Sequence, residues 1–178
     1  IMSISTRLSE GYEAKRVPFD QLHLLATNNE YHWCSHHFQG EIRRAENALP
    51  LFNMIVLDID GTMPLNVAQD LLKQYRAFFY TTKSHTEEVH RYRIILPINY
   101  EVEMDREEYN ACMDAVLQTL PFECDPATKD IARKWMCNEG EYFYQEGELF
   151  DILPFIPNTS RSDERQQAFQ NQSDLDNL

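Results

Sequence analysis

The sequence contains no CxxC pair. Its four cysteines, Cys34, Cys112, Cys124 and Cys137, are widely spaced, which argues against a zinc ribbon and for a reducing compartment. Also missing are an apolar run of membrane-spanning length, a signal-peptide pattern at the N-terminus and any internal repeat. The expectation is a soluble, cytoplasmic protein with no membrane partner. Ile1 ahead of Met2 suggests a piece of a longer chain.

Net positive charge is lacking too. The formal net charge of −13 is the wrong sign for an enzyme that grips a phosphate backbone, so its distribution matters. Residues 100–125 carry eight acids against one base, residues 139–151 five acids and no base, and residues 158–178 four acids and two bases. The remainder is close to neutral, so the acidity is regional. Lys83, Arg91, Arg93, Lys129, Arg133 and Lys134 are left to form a basic face that could meet a polyanion. Tight sequence-independent binding by this chain alone is not expected, because phosphate contacts supply most of that affinity. What is present is a globular composition: 178 residues, 43% hydrophobic and 12% aromatic, enough for one domain with a real core.

Hydrophobic periodicity gives the coarse order of elements. Residues 18–28 read as a short helix opened by Asp20 as cap. Residues 31–40 (YHWCSHHFQG) lack a clear period and read as loop or short strand. Residues 53–59 (NMIVLDI) form a continuous apolar run rich in β-branched residues, hence a buried strand. Residues 65–75 follow a helical period. Two strands come next, 77–82 and 91–98, joined by eight polar residues (KSHTEEVH). That link is too short for a crossover helix, so an antiparallel hairpin is predicted. Residues 105–119 predict a helix with Tyr109, Met113, Val116 and Leu120 on one face, and short strands follow near 131–137 and 142–145. The sum is an α+β fold: an RRM-like core with a largely antiparallel sheet flanked by helices, plus an N-terminal α/β extension. Residues 1–157 are expected to be one domain, and 158–178, rich in Gln, Asn and Ser, a disordered tail or linker.

Chemistry concentrates at the end of the apolar strand. Asp58 and Asp60 in IVLDIDGT are two apart, so both carboxylates leave the same face of the strand. Two carboxylates held together repel unless a cation lies between them, and hard oxygen ligands suit Mg²⁺ or Mn²⁺. His32, Cys34, His36 and His37 also cluster, but their spacing fits no standard structural zinc site. Trp33 and Phe38 in the same stretch offer faces on which DNA bases could stack.

The string also spells the DxDGT motif of haloacid dehalogenase-like phosphatases, in which the first Asp attacks phosphorus. Three features oppose that reading. The motif begins 57 residues into the chain, no GDxxxD or DD loop follows, and the stretch after FFYTT looks like a hairpin where that fold needs a helix.

IVLDID, YTTKSHTEEVHRYRIILPI and FECDPATKDIARKWM, in that order over roughly residues 50–137, together resemble the archaeo-eukaryotic primase superfamily, in particular the primase-polymerases of phage and plasmid replication proteins. The resemblance implies an hhhDhD motif at Asp58 and Asp60 as metal ligands and an apolar-Asp motif completing the metal site. Cys124-Asp125 fits the latter best, with Asp130 the weaker match. It also implies a small-x-His motif contacting the incoming nucleotide. Here Ser84 and His85 are adjacent, and His90 stands where the family histidine often lies, so both histidines stay open. Three carboxylates near one spot suit two-metal nucleotidyl transfer. Lys83, Arg91 and Arg93 surround the hairpin and suit a triphosphate, the two arginines sharing a strand face. Arg133 matches a basic position common in the family, while Lys129 and Lys134 are candidates for template phosphates.

The expectation is therefore a DNA primase and polymerase catalytic domain, with Asp58, Asp60 and Asp125 catalytic. It would use two Mg²⁺ or Mn²⁺ ions, NTP or dNTP, and a single-stranded DNA template. A helicase, C-terminal in a longer chain or separate, is the partner the resemblance implies. The alternatives are the phosphatase and a catalytically silent relative that binds DNA or a replisome partner.

Overall fold

The computed structural model describes residues 1–158; the expected tail, from residue 159 onward, lies outside the described residues. The strands are β1 (Met2–Ser5), β2 (Glu13–Lys15), β3 (His32–Cys34), β4 (Leu51–Asp60), β5 (Ala77–Thr81), β6 (Arg91–Glu103), β7 (Trp135–Met136) and β8 (Tyr142–Gln145). The α-helices are α1 (Leu22–Ala26), α2 (Leu65–Leu71) and α3 (Arg106–Thr119). Two four-stranded sheets result, ordered β2-β1-β3-β7 and β4-β6-β5-β8. Every pairing within them is antiparallel. The fold is α+β, as the sequence predicts. Among the described residues no helix is long and apolar enough to cross a membrane.

The larger sheet explains the unbroken apolar run of β4, because both of its faces are covered. Ile55, Leu57 and Ile59 of β4, with Tyr92, Ile94 and Leu96 of β6, pack on Leu65 and Ala68 of α2 and on Tyr109, Met113 and Val116 of α3. The alternate residues, Met54, Val56, Phe78, Tyr80 and Ile95, pack on Trp33 and Trp135 of the smaller sheet. Pro97, which cannot donate to a ladder, sits where the β4–β6 register shifts between Phe52 and Met54.

Local signals account for the helices unequally. α3 opens with a capping box, the Asp105 side chain accepting from Glu108 N–H while Glu108 reaches back to the Asp105 N–H. The helix expected over 18–28 is a 3-10 turn at Phe19–Gln21 running into α1, and Asp20 caps neither. The stretch 31–40 contains β3, whose Trp33 faces Trp135 of β7 directly across the ladder.

Candidate active site

Alternation along the larger sheet carries its inner face from apolar to charged. Beyond Val56, Ile95 and Phe78 the next row is Asp58, Arg93 and Tyr80, and the row after that opens with Asp60 opposite Arg91. The strand then stops at Gly61, whose φ of +79° is a left-handed turn conformation and whose N–H donates to the His90 carbonyl at 2.9 Å. A Cβ there would also meet Val89 Cγ1 at 3.0 Å.

The third carboxylate arrives from a distant segment. Asp125 caps a 3-10 turn over Pro126–Lys129, its side chain accepting from Ala127 N–H. The turn lies along the open edge of β4 and uses its spare carbonyls. Asp125 N–H donates to Asp58 O at 2.9 Å, and the buried Thr128 hydroxyl donates to Val56 O. Asp58, Asp60 and Asp125 thus share a cavity of about 470 Å³ with Arg91, Arg93, Arg133, Thr82 and Ser84. Asp130, the weaker match, is exposed, accepts from Ala132 N–H and does not line this cavity.

The two Asp–Arg pairs differ in kind. Arg91 binds Asp60 through Nε at 2.5 Å and the Ser84 carbonyl through Nη1 at 3.0 Å, with Asp60 exposed and Arg91 half-buried. Such a pair holds loosely. Asp58 and Arg93 are only 13% and 12% exposed, with Nε 3.3 Å from Oδ1. That N–H is not aimed at the carboxylate, since Arg93 Nε has no hydrogen-bond partner. Nη1 donates instead to Tyr80 Oη at 3.2 Å and Met136 O at 2.6 Å, and the guanidinium lies 5.2 Å from the Trp135 ring centroid.

These surroundings set the charges. Burial pushes the Asp58 carboxyl above its ordinary range; Arg93 and Arg133 pull it down, while Asp125 and Asp60 push it further up. Burial opposes the charge on Arg93, but Tyr80 and Asp58 outweigh it and hold the guanidinium above its usual range. The asymmetry is physical: the arginine has several partners, whereas the carboxylate faces two others. A desolvated carboxylate among carboxylates, all hard oxygen donors, fits a divalent cation. Among the described residues no three such side chains are yet drawn together closely enough to enclose one, and Arg91 and Arg93 lie against two of the three.

The remaining candidates sort by their contacts. Both nitrogens of His90 are committed, Nδ1 accepting from Leu65 N–H at 2.8 Å and Nε2 facing Glu87 O at 3.2 Å. His85 spends Nδ1 on Arg91 N–H at 3.1 Å, and its Nε2 has no hydrogen-bond partner among the described residues. Ser84 is exposed beside the arginines, and Lys83 lines a neighbouring cavity. Arg133 lies 5.4 Å from the Trp135 ring. Lys129 pairs with Asp114 of α3 at 3.0 Å, and neither it nor half-buried Lys134 lines the carboxylate cavity.

One expectation is corrected. Trp33 stacks on no base: it is fully buried and its Nε1–H donates to Tyr80 Oη. The tryptophan that touches the site is Trp135, two residues beyond Arg133. In the stretch holding His32, Cys34, His36 and His37, His36 is buried against Phe52 and Tyr109, and its protonation is suppressed, burial pushing its pKa down to about 3.

In fold the chain is similar to a solved structure, the cyanophage S-2L primase-polymerase AEP domain, which superposes with a TM-score of 0.50 at 14% identity, over 71% of this chain and 70% of that one. The family model for the VapE N-terminal domain matches residues 34–149, and the chain belongs to that family. No curated protein matches it. The resemblance to the phage and plasmid type of primase-polymerase is thereby borne out.

Proposed function

We propose that residues 1–157 form the catalytic domain of a DNA primase-polymerase, joining nucleotides on a single-stranded DNA template. The observation that carries this reading is the meeting of Asp58, Asp60 and Asp125 with Arg91, Arg93 and Arg133 in one cavity at the end of an antiparallel sheet. The phosphatase reading needs a parallel sheet with a helix after FFYTT, and both are absent from the described residues.

The three carboxylates would hold Mg²⁺ or Mn²⁺, which at such a site neutralise the attacking and leaving oxygens of an in-line displacement. Asp58 has lost water to burial and gains most from added positive charge. Arg93, anchored on Tyr80 and Met136, offsets part of the Asp58 charge without hydrogen-bonding it. Arg91 can exchange Asp60 for a phosphate oxygen at little cost, because its carboxylate partner is exposed and readily solvated. Arg133, His85 Nε2 and the Ser84 hydroxyl are the other phosphate-binding groups, and His90 is left a structural role. Lys83 stands at the neighbouring cavity, while Lys129 and Lys134 are left to template phosphates. A helicase, C-terminal or separate, is the expected partner.

One observation favours a silent binding module: arginines lie against two of the three carboxylates. Extension of a pre-annealed primer with Mn²⁺ and nucleotides separates the two. Extension by the wild type, abolished by Asp58→Ala and by Asp60→Ala, supports catalysis. Template or nucleotide binding without extension supports the module. Turnover of p-nitrophenyl phosphate that disappears in Asp58→Asn would revive the phosphatase.

A further inference from the structure

Beside the carboxylate cavity, and sharing Thr82, Ser84 and Arg93 with it, lies a second cavity of about 490 Å³. Its far wall belongs to the smaller sheet and its connections. Met136 ends β7, Asn138 follows it, and Asn29 comes from the turn between α1 and β3.

Two amides on this wall have fixed orientations. Asn29 Oδ1 accepts the Glu139 N–H at 2.7 Å, and Asn138 Nδ2 donates to the Thr81 carbonyl at 2.9 Å. A backbone N–H cannot accept and a carbonyl cannot donate, so neither amide can be flipped without losing its bond. Asn29 is left with Nδ2, a pure donor, and Asn138 with Oδ1, a pure acceptor. Neither of these ends has a hydrogen-bond partner among the described residues. Gly140 keeps the Asn138 amide in place, since a Cβ there would stand 2.7 Å from Asn138 Nδ2 and 2.6 Å from Thr81 Oγ1. The Met136 carbonyl is consumed by Arg93 and Tyr80, while its side chain is 44% exposed and supplies apolar surface.

A donor, an acceptor and an apolar side chain beside a phosphate-binding cavity match the other half of a nucleotide. We propose that this second cavity is the nucleoside subsite, where Asn29 and Asn138 hydrogen-bond the sugar or base of a nucleotide whose phosphates lie among the arginines. This rests on the function proposed above and adds to it a pair of selectivity residues that touch no phosphate.

The test is calorimetric binding, with Mn²⁺ present, of ATP, dATP, GTP and inorganic tripolyphosphate to the wild type, Asn29→Ala and Asn138→Ala. Each variant should bind nucleotides about five- to tenfold more weakly, the worth of one neutral hydrogen bond, and tripolyphosphate as the wild type does. Asn29 is exposed, so Asn29→Ala keeps the test decisive even if Asn138→Ala melts early. A loss larger for ATP than for dATP identifies the sugar as the contact; equal losses for those two but different ones for GTP identify the base. Unchanged nucleotide affinity in Asn29→Ala, or an equal loss for tripolyphosphate, overturns the subsite. Nucleotide-selective loss without any tripolyphosphate binding by the wild type would instead overturn the carboxylate-cavity reading and leave the asparagine pair standing. No nucleotide binding by the wild type overturns both.

Discussion

The backbone N–H of Asp125 donates to the carbonyl of Asp58 at 2.9 Å. Through that bond the edge of β4, which would otherwise expose unpaired carbonyls, recruits the segment that brings the third carboxylate. Thr128 makes the second tie, its hydroxyl donating to Val56 O in the buried interior.

Thr128→Val keeps the side-chain shape but removes the donor, leaving a buried carbonyl unsatisfied. Chemical denaturation should show a loss of about 1–3 kcal/mol. Mn²⁺ affinity should fall with it, because Asp125 is no longer held against β4. A full loss of stability with unchanged Mn²⁺ affinity would show that Asp125 is positioned independently of Thr128.

The two arginines should separate by experiment. Arg93→Ala strips a nearly buried charge network from Asp58, Tyr80 and Met136, and should cost about 2–4 kcal/mol of stability. Arg91→Ala breaks a pair whose carboxylate is exposed and should cost about 1 kcal/mol, yet weaken nucleotide binding by about 1.5–3 kcal/mol, the worth of a phosphate contact to a charged donor. The reverse pattern would mean that Arg93, not Arg91, meets the phosphates.

His85 and His90 are distinguished in the same way. His90→Ala frees the Leu65 N–H at the start of α2 and should lower the melting temperature with little effect on nucleotide affinity per folded molecule. His85→Ala should reduce nucleotide affinity, with a smaller change in melting temperature. Equal nucleotide affinities for the two variants would remove His85 from the binding site.

How much of this was legible in the sequence depends on range. Asp58, Asp60, Arg91 and Arg93 could be read as two shared faces because alternation is a local property, and the register then set Asp58 opposite Arg93. α3 was readable from its period. β1 and β2, of four and three residues, are too short to show a period. Trp33 and Trp135 are equally aromatic in the sequence; only the β3–β7 pairing and the sheet packed over it decide that both are buried and that the second meets the arginines. Asp125 came from family resemblance alone, since a hydrogen bond between segments so far apart leaves no local mark. Asn29 and Asn138 left none either.

Acid should destabilise the protein through His36. Burial, with His37 and the N-terminal ammonium adding to it, holds its folded pKa at about 3 against an ordinary 6.5. The unfolded chain therefore binds a proton that the folded one refuses, so the stabilising difference is complete above about pH 6.5 and lost progressively as pH falls toward 3. Urea denaturation between pH 7 and pH 5 should show this slope, flattened in His36→Leu. An identical slope in the variant would place the pH dependence elsewhere.

The central claim is that Asp58, Asp60 and Asp125 act as one cation-binding group. Electron paramagnetic resonance of free Mn²⁺, titrated with protein in the presence of a nucleotide, reads this directly. The wild type should deplete the free-ion signal, and Asp125→Asn should do so far less, as should Asp58→Asn. Depletion by Asp125→Asn equal to that of the wild type would contradict a three-carboxylate site.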